Sequence, residues 1–265
     1  MTDMLVDADW VAANGGSIRL VDVRDAWEFD GIGHLPGAVN VPFDSFRAAE
    51  HGSASGDGEG MLPGADAFAA VMGEAGISRD DTVVAYDDDH GVFAARLLVT
   101  AELYGHSRDR LCLLDGDFSA WQREREVSTE APSMTAVPYE AERTADSPLV
   151  GVDTVATAAE DPDAVLVDTR EAWEFDDGHI PGAIRLDWRE LVDDETRGIK
   201  PEAELRTILA DRGIVPEKRI VLYCNTARRI SHTYVVLRHL GYPDLAFYEG
   251  SLTEWEATGR PLATE

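Results

Sequence analysis

The chain repeats itself. The stretch "LVDVRDAWEFDGIGHLPGAVNVPF" (Leu20–Phe43) returns as "LVDTREAWEFDDGHIPGAIRLDW" (Leu166–Trp188). "LLDGDFSAW", ending at Trp121, returns as "FYEGSLTEW", ending at Trp255. Between these blocks, "VVAYDDDHGVFAARLLVTAELYGH" corresponds to "IVLYCNTARRISHTYVVLRHLGY". Three blocks in the same order, at a period above about 100 residues, describe duplicated domains rather than a solenoid. The polar stretch Arg123–Pro148 holds three prolines and falls between the copies. We therefore expect a first domain over residues 1–125, a linker over 126–147 and a second domain over 148–265. A Gly/Ser-rich stretch inside the first copy, "AEHGSASGDGEGMLPG", reads as a mobile surface loop.

Within each copy, short β-branched runs alternate with helical patterns. In the second, "VDTVATAAED" reads as a helix, "AVLVDTR" as a buried strand, and "PEAELRTILADRG" as a helix closed by Gly213. "RIVLYC" is the next strand, "SHTYVVLRHLG" a helix ending at Gly241, and "LAFYEG" a third strand. This order predicts an α/β fold of two tandem domains, each a mostly parallel, doubly wound sheet flanked by helices. The glycines fit helix C-caps.

Charge removes several classes of function. The chain has 51 acidic and 23 basic residues, a net charge of −28, and its only lysines are Lys200 and Lys218. Such a surface repels nucleic acid and anionic membranes, so neither is an expected partner. Lysine poverty beside this acidity points to a halophilic, high-salt setting, where the Debye length shrinks to about 3 Å. No apolar run is long enough to span a bilayer. The start, "MTDMLVDADW", lacks the features of a secretory signal, so a cytoplasmic location is expected.

Two cysteines in such a chain do not make a disulfide framework. Cys112, in "RLCLLDG", reads as a small core residue. Cys224 ends a strand and precedes a loop that enters a helix. Ligands of open α/β sheets bind beyond the carboxyl ends of strands. Inward-pointing amides at a helix start favour negative charge, which stabilises a thiolate. Arg229, together with Arg228, adds to that effect. A buried inert cysteine is the competing reading, but in the first copy Asp87 occupies the place of Cys224. One copy keeps a nucleophile candidate on a scaffold common to both.

With "VDVR…GHLPGA" and "VDTR…GHIPGA", the "YC" loop followed by "SHT", and the closing G-x-x-x-x-W of each copy, the chain resembles a tandem-domain rhodanese of the thiosulfate sulfurtransferase family. The resemblance covers nearly the whole length. It implies an active second domain and a catalytically inactive first one. It further implies a persulfide on Cys224 that carries sulfane sulfur from a small donor such as thiosulfate to cyanide or a thiol. By position, Asn225, Thr226, Ala227, Arg228, Arg229 and Ile230 would line the loop, and Arg170 is a further candidate for the anion site. No cofactor or metal is called for; "DDDH" (Asp87–His90) is consecutive, so its side chains diverge. A protein sulfur acceptor stays open as a partner beside small molecules.

Two departures bear on the donor. Related members often carry Arg directly after the cysteine and Gly two residues later, where this chain has Asn225 and Ala227. In mitochondrial-type members an arginine six residues after the motif Asp meets the substrate, and Glu174 stands there instead. A 3-mercaptopyruvate sulfurtransferase and a non-enzymatic sulfur carrier are the alternative readings. A cysteine phosphatase needs five residues between cysteine and arginine, and only four separate Cys224 from Arg229. Among the other repeated residues, His34 and His179 read as structural turn residues. Asp22 with Arg24 and Asp168 with Arg170 read as charge pairs at strand ends. Trp27, Trp121, Trp173 and Trp255 are expected in the core.

Overall fold

The structure, a computed structural model, describes residues 4–48, 61–130, 132–144 and 146–264. The greater part of the Gly/Ser-rich stretch, residues 49–60, lies outside the described residues. Two compact units result: Met1–Ser147 with Asp193–Ile199, and Pro148–Val192 with Lys200–Glu265.

The first unit contains strands β1 (Leu5–Val6), β2 (Arg19–Asp22), β3 (Val39–Asn40), β4 (Val83–Tyr86) and β5 (Leu111–Leu114). They form one sheet in the order β1-β5-β4-β2-β3, with every pair parallel. Helices α1 (Ala8–Asn14), α2 (Ala26–Gly31), α3 (Ala65–Glu74), α4 (Val92–Leu103) and α5 (Phe118–Gln122) connect them. The second unit contains β6 (Ala164–Asp168), β7 (Ile184–Arg185), β8 (Arg219–Tyr223) and β9 (Leu245–Phe247), parallel in the order β7-β6-β8-β9. Its helices are α6 (Val152–Ala158), α7 (Ala172–Asp177), α8 (Glu202–Ala210), α9 (Arg228–His239) and α10 (Ser251–Ala257). The expected α/β architecture is thus observed in both copies.

Parallel strands covered on both faces need apolar side chains throughout. Accordingly Ile220, Val221, Leu222 and Tyr223 of β8 are all buried. One face packs Leu166, Val221 and Ala246 with Val155 and Trp255, while α9 lies against β8 and β9. Gly213 and Gly241 follow α8 and α9 with φ of +69° and +81°, the left-handed C-terminal turn that glycine accepts without steric cost.

The repeated motif builds the same brace twice. Tyr223 Oη accepts the amide of Ile180 and Tyr86 Oη that of Leu35. His179 stacks on Phe175 and His34 on Phe29, each at 3.7 Å between ring centroids. Each histidine also exchanges a pair of backbone hydrogen bonds, His34 with Ser128 and His179 with Ala263. The histidines are structural in both copies.

The tryptophans divide differently from the expectation. Trp121 and Trp255 are buried, but Trp27 and Trp173 are 66% and 67% exposed. Each of the latter stands in the first turn of a short helix and donates its indole N–H to the residue preceding that helix, Asp25 or Glu171. Phe29 and Phe175, two positions on, take the buried face instead.

Candidate active site

Cys224 follows β8 directly, at the carboxyl edge of the sheet. Its amide donates to Ser251 Oγ at 3.2 Å, and its carbonyl accepts the amide of Leu252 at 2.9 Å. The residue is 2% exposed. It lies outside the hydrocarbon cluster that contains its neighbour Tyr223. Four residues later α9 begins, three positions earlier than the sequence pattern indicated. The cause is Ala227, which takes φ +63° and ψ −5°, turns the chain and starts the helix at Arg228. This is the left-handed conformation that glycine adopts without steric cost, here taken by a buried alanine where related members often carry Gly. The turn brings Arg229 and Ile230 into the first helical turn, where amide hydrogens have no intrahelical acceptor.

Asn225 is half-buried, Thr226 exposed, Arg228 half-buried and Ile230 buried. Arg229 pairs with the Glu174 carboxylate, and the other oxygen of Glu174 accepts Asn225 Nδ2 at 2.9 Å. Burial pushes the Arg229 guanidinium down, but the Glu174 bond, its charge and the nearby Cys224 raise it above the ordinary value. Burial pushes Glu174 up, yet Arg229, the Glu171 amide and Asn225 together hold its carboxyl below the usual range. Arg170 is occupied by Asp168, with Nε at 2.9 and 3.0 Å and Nη2 at 2.7 Å, and by the Gly178 carbonyl at 2.6 Å. It meets the loop through Asn225, whose Oδ1 accepts from Arg170 Nη1 at 3.4 Å.

Sequence reasoning missed Ser251, which anchors the Cys224 amide from a left-handed φ of +49°. The available signal was its alignment with Asp117 in the repeated G-x-x-x-x-W block. Glu174 stands where mitochondrial-type members carry a substrate-binding arginine, and it joins two residues of the loop.

In the first copy the corresponding loop holds Asp87. Its Oδ1 accepts the amides of Asp89 and Gly91, both at 2.8 Å, and its Oδ2 those of Phe93 and Ala94 at 2.8 and 3.0 Å. Burial pushes this carboxyl up to about 6 against the four amides, which pull it down. Nearby, Asp117 is chelated by Arg197 Nε at 2.7 and 2.8 Å. A cavity of about 420 Å³ in this unit is lined by residues including Asp7, Asp115, Trp121 and Arg123, with no residue of the Cys224 loop.

Two parallel α/β units, one presenting a cysteine and its sibling a carboxylate on the same loop, define a duplicated domain with a single thiol site. A family model described as "Rhodanese-like domain" matches residues 7–124 and 152–258, and the chain belongs to that family. It is 34% identical over 275 residues to a thiosulfate sulfurtransferase of Corynebacterium glutamicum, covering 96% of this chain and 87% of the relative. It is 31% identical over 287 residues to the sulfur carrier protein TtuD of Thermus thermophilus, covering 98% and 96%. Among solved structures it is similar to SseA from Escherichia coli, described as a 3-mercaptopyruvate sulfotransferase. That match has TM-score 0.80 and 26% identity and covers 94% of this chain and 99% of the other. No helix among the described residues is long and apolar enough to cross a membrane.

Proposed function

We propose that the protein is a sulfurtransferase that moves sulfane sulfur through a persulfide on Cys224. The observation that carries this reading is the Asp87 cradle. On the duplicated scaffold, the loop after the central strand directs four amides onto one negative group. A sulfur anion at the equivalent Cys224 is the group such a loop solvates.

In the first half-reaction the Cys224 thiolate attacks the outer sulfur of thiosulfate. The new S–S bond forms as the old one breaks, and sulfite leaves with the electron pair. In the second, cyanide or a thiol attacks the terminal persulfide sulfur, and the pair returns to Cys224. Arg229 and the loop amides Asn225–Ile230 stabilise the charge, and Arg170 holds Asn225 in place. The first copy, with a carboxylate in the cradle, is silent. The thiosulfate reading is supported by the relative in C. glutamicum. Glu174 in place of a donor-binding arginine favours a second reading, 3-mercaptopyruvate as donor, in keeping with the likeness to SseA. The relative named a sulfur carrier supports a protein acceptor as a further partner. The net charge of −28 with two lysines supports a high-salt cytoplasm as the working environment.

Double displacement predicts parallel double-reciprocal lines when thiosulfate and cyanide are varied together. Intersecting lines, or thiocyanate formation undiminished in Cys224→Ser, would overturn the mechanism. The ratio of kcat/KM for thiosulfate and 3-mercaptopyruvate separates the two donor readings.

A further inference from the structure

The Cys224 loop has an internal counter-ion. Glu174, on α7, is 7% exposed and uses both carboxylate oxygens on the loop, one on Asn225 and one on Arg229. Asn225 follows the cysteine and Arg229 stands in the first turn of α9, so a single carboxylate ties the two ends of the loop together. The glutamate is itself held, because its Oε2 also accepts the Glu171 amide at 3.2 Å and closes a capping box. The arrangement belongs to the cysteine-bearing copy alone. Glu28 of the first copy closes the same capping box, but the residues matching Asn225 and Arg229 there are Asp88 and Phe93, which offer it no side-chain donor.

Arg229 is the cation of the loop whose partner the structure identifies, and Glu174 already cancels its charge. An anionic donor must share Arg229 with that carboxylate or displace it. At close range and partial burial, repulsion from a fixed carboxylate grows with the number of charges on the incoming group.

We propose that Glu174 is the specificity-determining residue of the site, neutralising Arg229 so that the loop discriminates against dianionic ligands relative to monoanionic ones. This rests on Cys224 being the reacting residue and deepens that reading, because it makes the donor choice a property of the Glu174–Arg229 pair. Thiosulfate enters against Glu174, whereas a donor with one carboxylate meets about half the penalty.

The test does not depend on sulfur transfer. Alkylation of Cys224 by iodoacetamide is followed by peptide mass, and protection is measured with sulfate, a dianion, and methanesulfonate, a monoanion of similar shape. In Glu174→Gln, which keeps an acceptor for Asn225 but loses the charge, the half-protecting sulfate concentration should fall about fivefold or more. That for methanesulfonate should fall only about twofold. Glu174→Asp, which keeps the charge, should stay near the parent protein for both. If Glu174→Gln folds poorly, Glu174→Ala carries the same expectation. Equal changes for the two anions, or weaker protection by both, would reduce Glu174 to a structural tie and overturn the proposal. Gain of sulfate affinity in a protein whose Cys224 never accepts sulfur would instead leave this inference standing and remove the proposed function.

Discussion

Tyr223 Oη accepts the amide hydrogen of Ile180 at 3.1 Å, joining the last residue of the strand before Cys224 to the GHIPGA turn 43 residues earlier. Tyr86 and Leu35 reproduce this bond at 3.0 Å in the first copy. Burial, followed by the nearby Asp168, pushes the Tyr223 phenol strongly upward, so it remains a neutral hydroxyl. The bond therefore ties the strand leading to the Cys224 loop to this turn without adding a charge.

Tyr223→Phe leaves the buried Ile180 amide without its acceptor and should cost about 1–3 kcal/mol of stability. Tyr86→Phe should cost a similar amount. Chemical denaturation of the two variants checks this, and a negligible loss in both would show that the brace is incidental.

Ala227 makes a second, sharper prediction. Its φ of +63° is open to glycine and tolerable for alanine, but poor for a β-branched side chain. Ala227→Gly should stay within about 1 kcal/mol of the parent protein, because relief of strain opposes added chain entropy and a lost buried methyl. Ala227→Val should lose about 2 kcal/mol or more and most of the sulfur transfer. A Val variant of parental stability and rate would mean that the turn is not required.

Much of this was legible in the sequence. The duplication gave two domains, and the alternation of β-branched runs with helical patterns gave parallel sheets. The position of Cys224 at a strand end gave the loop. What escaped was encoded too briefly or too far apart. Helices α7 and α10 have six and seven residues, shorter than a periodic pattern can reveal. The start of α9 at Arg228 depends on one backbone torsion at Ala227. Trp173 and Phe175 are both large and apolar, and only the helix geometry decides which is buried. The Glu174–Arg229 pair spans 55 residues, and no local spacing announces it.

Asp87 should give the first copy a pH-dependent component of stability. Its native carboxyl, pushed up to about 6, lies above the ordinary value of 3.8 for the unfolded chain. Between those pH values the native state binds more protons than the unfolded state, so this contribution is present in full below about pH 4 and lost as pH rises through 6. Asp87→Asn cannot titrate. Its stability relative to the parent protein should therefore improve by about 2 kcal/mol between pH 4 and 7. Paired denaturation curves at the two pH values measure this, and a constant difference would contradict it.

Self-repulsion at a net charge of −28 should make folding salt-dependent. Raising KCl from low to molar concentration screens these charges. Each kcal/mol gained should raise Tm by about 2–4 °C. A Tm independent of salt would remove the argument for a halophilic setting.

Whether Cys224 carries the transferred sulfur is decided by intact mass spectrometry after exposure to thiosulfate. The parent protein should gain one sulfur atom, which cyanide removes and which is absent in Cys224→Ser. An unchanged mass in the parent protein, or a sulfur retained in Cys224→Ser and therefore carried elsewhere, would contradict it.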